Sequence, residues 1–202
     1  FVPGNADLVA DFIAARRQGA TVYIAHPAGW WPTQVYSAER TGALDRLPSP
    51  FLMEIINGAN NIVTAFDYTD ELAVALWDRL LTRGRRVHAM ANTDAHAPHG
   101  IGIAWNGVLA SRCRQEDILK ALRAGRSFAS EAPLLNLAVG TTGMGGRARP
   151  RDQAGPVRLT VVDARGLQRV RLIADGRVRR TWRLDGDTVF THEQQVPASW
   201  QV

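Results

Sequence analysis

The sequence predicts an α/β chain in which parallel βα units are followed by a smaller antiparallel β unit. Apolar runs of strand length alternate with segments of helical period up to about residue 130. Polar side chains gather where each apolar run ends, as in parallel sheets buried on both faces. Beyond that point the pattern changes to short alternating strands separated by Gly and Asp turns.

Taken in order, "ADLVADFIAARRQ" over residues 6–18 has apolar positions at helical spacing, and "GATVYIAHP" is a short β-branched strand ending in His26-Pro27. A Trp- and Pro-rich loop runs from Pro27 to Pro50. "FLMEIING" is then a fully apolar strand that carries Glu54 and Asn57 at its end, and "DELAVALWDRLLTRG" is an amphipathic helix closed by Gly84. A third strand, "RVHAMAN", delivers Asp94 and His96, with His99 in the loop behind them. "EDILKALRAGRSFAS" adds a further helix and turn. The tail reads as strands "VRLTVVDA", "LQRVRLIADG" and "RVRRTWRL", with a hairpin bend at Asp175-Gly176. The glycines of "GTTGMGGRARPRDQAGP" lack the strand-then-helix context of a phosphate loop and are read as a connection. These features divide the chain into residues 1–132 and a β-rich, sandwich-like part at 133–202 that ends incompletely.

Composition narrows the function classes. With 202 residues and 46% hydrophobic content, the chain can bury one sizeable core or two small ones. It has no apolar run of about 18 residues, so no membrane-spanning helix is expected. Cys113 is the only cysteine, which excludes an internal disulfide framework and a thiolate zinc site. The net charge of +5 comes almost wholly from arginine, Lys120 being the only lysine. The arginines are scattered and form no basic stripe interleaved with aromatics, so nucleic acid is not an expected partner.

The strand ends offer His26, Glu54 and the Asp94/His96 pair, and parallel strands would bring these to one face. Imidazole nitrogens and carboxylate oxygens suit Zn²⁺, Mn²⁺ or Fe²⁺. In extended backbone, residues two apart point the same way, so Asp94 and His96 could reach one centre. Read singly, Asp94 could equally cap a helix and His96 sit on the surface. Asn57 could contact substrate or close a turn, and His99 could meet a substrate phosphate or be solvated. His88 reads as a core residue, and His192 is assigned no chemistry. Trp30 and Trp31 either wall a substrate pocket or pack the long loop.

The segments "VYIAHPAGWW", "MEIINGAN", "WDRLLTRGRRVHAMANTDAH" and "ALRAGRSFASEAPLL" together resemble the later half of a PHP domain. This is the polymerase and histidinol phosphatase superfamily of metal-dependent phosphoesterases, and the branch most similar is the carbaryl-hydrolase-like metallohydrolases, which append a β-sandwich. The resemblance covers roughly residues 5–140. It implies the second half of a distorted (β/α)₇ barrel and two or three divalent metal ions in the intact parent protein. On that basis His26, Asp94 and His96 are metal ligands, with Glu54 a ligand, an orienter of a histidine or a structural contact. Asp94 and His96 become the catalytic pair, and Asn57 and His99 substrate contacts. The family's opening His-x-His motif and its second motif are missing, the chain beginning downstream of them, so the chain by itself is expected to be inactive. The implied reaction is hydrolysis of a phosphate ester, or a related ester or carbamate, of a small-molecule substrate by metal-activated water. The competing expectation is a noncatalytic binding or scaffold protein built on a degenerate barrel. A polymerase-linked proofreading role is disfavoured by the β-rich tail.

Overall fold

The computed structural model describes residues 7–28, 42–58, 67–148 and 155–195. The chain divides into two compact units, Phe1–Glu131 and Ala132–Val202.

In the first unit, α1 (Leu8–Arg17) is started by Asp7, whose carboxylate accepts from the N–H groups of Val9 and Ala10. The strand β1 (Tyr23–Ile24) follows, and then the short α2 (Gly42–Arg46) and β2 (Phe51–Asn57), every residue of which is buried. Helix α3 (Tyr68–Thr82) opens with a reciprocal capping box between Asp67 and Asp70. It leads into β3 (Val87–Asn92), and Trp77 Nε1 ties the two by donating to the Val87 carbonyl at 2.9 Å. The three strands form a parallel sheet in the order β1-β2-β3. Its core joins Phe12 of α1, Leu44 of α2, Leu76 and Leu80 of α3, and Phe51 and Met53 of β2. Phe12 meets the Phe51 ring edge-on, with centroids 6.3 Å apart.

Beyond β3 the pattern breaks. A single 3₁₀ turn (Pro98–Gly100) precedes β4 (Trp105–Val108), α4 (Gln115–Arg123) and β5 (Ser127–Ser130). The last strand does not extend the parallel sheet: it pairs antiparallel with β4 as a separate two-stranded sheet. The outer side of β3 is met at Ala91 by a side chain. Asn106 Oδ1 accepts from the Ala91 N–H at 2.9 Å, and Asn106 Nδ2 donates to the Ala91 carbonyl. An amide thus occupies the position where a fourth parallel strand would bond.

The expected second half of a (β/α)₇ barrel is therefore not what forms. Among the described residues there are four α-helices, and the strands belong to separate sheets of three, two and four members rather than to one ring of alternating βα units.

In the second unit, β6 (Leu134–Val139), β7 (Thr142–Gly143), β8 (Pro156–Ala174) and β9 (Arg177–Gln195) make an antiparallel sheet in the order β7-β6-β8-β9. The segments "VRLTVVDA" and "LQRVRLIADG" are one continuous strand, not two. The β8–β9 bend at Asp175 (φ 54°) and Gly176 (φ 65°) has positive φ at both turn residues, as a tight hairpin requires. Val157 and Leu172, on the same strand and about 50 Å apart if it ran straight, share one apolar cluster with Val139. Hence the long hairpin folds back on itself. The pairing shifts between Val162 and Leu167, and Gly166 and Gly186 face each other there with φ 87° and 84°. Leu159, Val161, Leu167 and Val170 fill the space inside the fold, flanked by Trp182 and Phe190. Among the described residues no helix is long and apolar enough to cross a membrane.

Candidate functional site at the carboxyl edge of the parallel sheet

Because β1, β2 and β3 run parallel, their carboxyl ends lie along one edge, and the polar residues that close each strand meet there. Glu54 is the centre of the arrangement and is 2% exposed. Its Oε2 accepts from the His26 backbone N–H beyond β1 and from Asn57 Nδ2 at 3.0 Å, while Oε1 accepts from Asn92 Nδ2 at 2.7 Å. One buried carboxylate therefore clamps the ends of all three strands. The Asn57 amide also donates to Asp94 Oδ2 at 3.4 Å, which links the clamp to the loop after β3.

A second carboxylate supports this edge from α3. Asp70, 2% exposed, accepts from the Asn57 backbone N–H at 2.8 Å and from the Asp67 N–H at 2.9 Å. Burial raises its pKa from 3.8 to about 6 despite those two hydrogen bonds, and the neighbouring Asp67 and Glu54 push in the same direction. The Tyr23 phenol is held above its usual range, first by burial and then by the carboxylates of Glu54 and Asp94. Between the strand ends and α3 lies a crevice with about 10 Å³ open to water, lined by His26, Ala28, Glu54, Asn57, Thr69 and Asp70. It is narrower than sites that enclose an organic ligand, and suits water or an ion.

The backbone at this edge is unusual. His26 (φ 28°) and Asp94 (φ 44°) both occupy the left-handed region that non-glycine residues avoid, at a cost on the order of 1 kcal/mol each. Among the described residues the third such non-glycine position is Asp175 of the hairpin turn.

The sequence-derived residues fare differently. His26, Glu54, Asn57 and Asp94 come together. His96 is exposed and does not align with Asp94 through strand alternation, since the left-handed turn at Asp94 ends the extended backbone. Instead the His96 ring folds back, and Nδ1–H donates to the Asp94 carbonyl at 2.7 Å. That bond fixes the tautomer and leaves Nε2 as the lone-pair nitrogen. His99 is exposed on the 3₁₀ turn and, among the described residues, takes no part in the network. Trp30 and Trp31 lie outside the described residues. His88 packs its ring against Gly125, where burial and the charge of Arg86 lower its pKa. Asn92 and Asp70 are parts of the site that sequence reasoning passed over. The signal for Asp70 was available in "DYTD", where Asp67 and Asp70 have capping-box spacing.

For a metal ion the donors are of the right kind, but the described residues do not suffice. Glu54 has both oxygens engaged by N–H donors, and no group of three or more His, Cys, Asp or Glu among the described residues is disposed to hold one ion. Comparison with known protein families, with curated proteins and with solved structures finds no match to this chain.

Proposed function

We propose that the carboxyl edge of the β1-β2-β3 sheet is one wall of a metal-dependent hydrolase site of the PHP kind, acting on a phosphate ester or a related ester or carbamate of a small molecule. The observation that carries this reading is the coincidence of strain and chemistry. His26 and Asp94, the two candidate ligands that close β1 and follow β3, both hold left-handed backbone, and the Glu54 clamp supports both ends. Strain of this kind persists where the surroundings over-determine it, and functional sites are where it gathers.

In this reading Glu54 positions rather than ligates. It holds the His26 backbone, and it orients Asn57, whose amide in turn holds Asp94. Asp94 and the Nε2 of His96 are the oxygen and nitrogen donors on the open side, and Asp94 accepts the proton of the attacking water. A divalent ion, when bound, supplies water of lowered pKa and neutralises charge on the substrate oxygens. Its remaining ligands would come from residues outside the described set. A noncatalytic binding role is the second reading, favoured by the full engagement of Glu54 and the lack of a three-donor group among the described residues.

Plasma mass spectrometry of the purified protein separates the two. The hydrolase reading expects Zn, Mn or Fe in the wild type, reduced in Asp94→Ala and His26→Ala variants, with turnover of aryl phosphate esters lost in parallel. Wild-type protein that is folded by circular dichroism yet free of metal, even after incubation with Mn²⁺ or Zn²⁺, would overturn it.

A further inference from the structure

The arginines that look scattered along the tail are gathered by the register of the β8–β9 hairpin. Arg169 stands directly opposite Arg183, Arg171 opposite Thr181, and Ile173 opposite Val178. Residues 169, 171 and 173 are spaced two apart and share a face, and that face is the exposed one: Val170 and Leu172, between them, are buried. Arg177 and Arg180 are also exposed on the same ribbon. Among the described residues Arg169, Arg171 and Arg183 make no ion pair or side-chain hydrogen bond. The acid nearest the turn, Asp175, is already paired with Arg179. Asp185 and Asp187 follow on β9 without an ion pair to the ladder among the described residues. A like-charge pair placed directly across a ladder opposes folding, so Arg169 facing Arg183 is a feature that an external anion would relieve.

Two further observations narrow the kind of anion. Ile173 and Val178 are 51% and 50% exposed and sit side by side next to the turn, at the end of the basic ladder. The aromatic rings that could stack on bases, Trp182 and Phe190, belong instead to the core side of the fold, and Trp182 packs on Phe190 with centroids 5.1 Å apart. A single-stranded nucleic acid would find phosphate contacts here but no stacking platform. An apolar tip collared by arginines fits the headgroup layer of a bilayer, where aliphatic side chains enter the interface and guanidinium groups fork onto lipid phosphates.

We propose that the outer face of the β8–β9 hairpin, built from Arg169, Arg171 and Arg183 with Ile173 and Val178 at its tip, docks the protein onto an anionic phospholipid surface. The test is flotation of the whole chain with vesicles of phosphatidylcholine alone or mixed with phosphatidylglycerol, at low and high salt. Co-flotation with the mixed vesicles only, weakened by salt, is expected. Arg169→Gln and Arg183→Gln should each lower partitioning roughly five-fold, and the Ile173→Ser/Val178→Ser pair should lower it further. Arg169→Glu provides the folding control: it turns the opposed like charges into an attractive pair, so the melting temperature should hold or rise while binding falls. Absence of binding to mixed vesicles at low salt would overturn the proposal. So would binding that is indifferent to Ile173 and Val178 and equalled by a DNA duplex, which would assign the ladder to nucleic acid.

Discussion

Glu54 shows how much one side chain can organise when its acceptors outnumber those of any neutral substitute. Its two oxygens receive three N–H groups from three strand ends, all in a buried setting. Glu54→Gln keeps the shape but replaces one oxygen by an NH₂, which must then face a donor. The loss of a buried hydrogen bond and the unsatisfied donor should cost about 1–3 kcal/mol, read as a lower urea midpoint for the first unit. Asp70 makes a different prediction. Its folded pKa of about 6 lies above the ordinary 3.8, so between those values the folded state binds more protons than the unfolded one. Stability from this group is therefore present at low pH and lost as pH rises through about 6. Unfolding midpoints measured across that window should fall with rising pH in the wild type more steeply than in Asp70→Asn. Equal slopes would show that Asp70 is not the buried acid described here. At this scale the sequence was informative about residue type and poor about role. Glu54 and Asn57 were visible as polar residues closing an apolar strand, but nothing in "MEIINGAN" tells that the Glu54 oxygens are spent on backbone and amide donors.

The elements were legible where local chemistry alone decides them. The helical period of "DELAVALWDRLLTRG", the unbroken apolar run of β2 and the Asp175-Gly176 turn each specify their own conformation. Elements decided by distant partners were not. Strands β4 and β5 are four residues long, lack clean alternation, and exist through their mutual pairing and the Asn106 bridge to Ala91. The bend in β8 and β9 is likewise a tertiary feature. Gly166 looks like the end of a strand, but it is the point where one long strand folds over. A Cβ built there would lie 2.7 Å from the Gly186 carbonyl oxygen, on a backbone with φ 87°. Gly166→Ala should therefore cost at least about 1–3 kcal/mol in the second unit, whereas Gly143→Ala, which meets no atom within 4 Å, should be close to neutral. Thermal melts of the two variants provide the comparison.

For the molecule as a whole, apolar strands alternating with helices suggested a ring of parallel βα units, and the inference failed after β3. Periodicity reports which faces are buried, not how many strands join a sheet. An asparagine amide at Ala91 and an antiparallel β4–β5 pair are enough to end a parallel ladder without changing the burial pattern that precedes it. The polar carboxyl edge does not depend on a closed ring, because β1, β2 and β3 run parallel without one. The proposal that Asp94 and His96, at the edge that His26 closes, face a metal ion whose other ligands lie outside the described residues can be tested directly. The chain has five histidines, His192 belonging to the second unit, so its imidazole spectrum is simple to assign. Paramagnetic broadening of the ring carbon-bound protons on titration with Mn²⁺ is the decisive measurement. Selective loss of the His26 and His96 signals at substoichiometric Mn²⁺, abolished in Asp94→Ala, is the expected result. Uniform broadening of all five rings, or none, would contradict it.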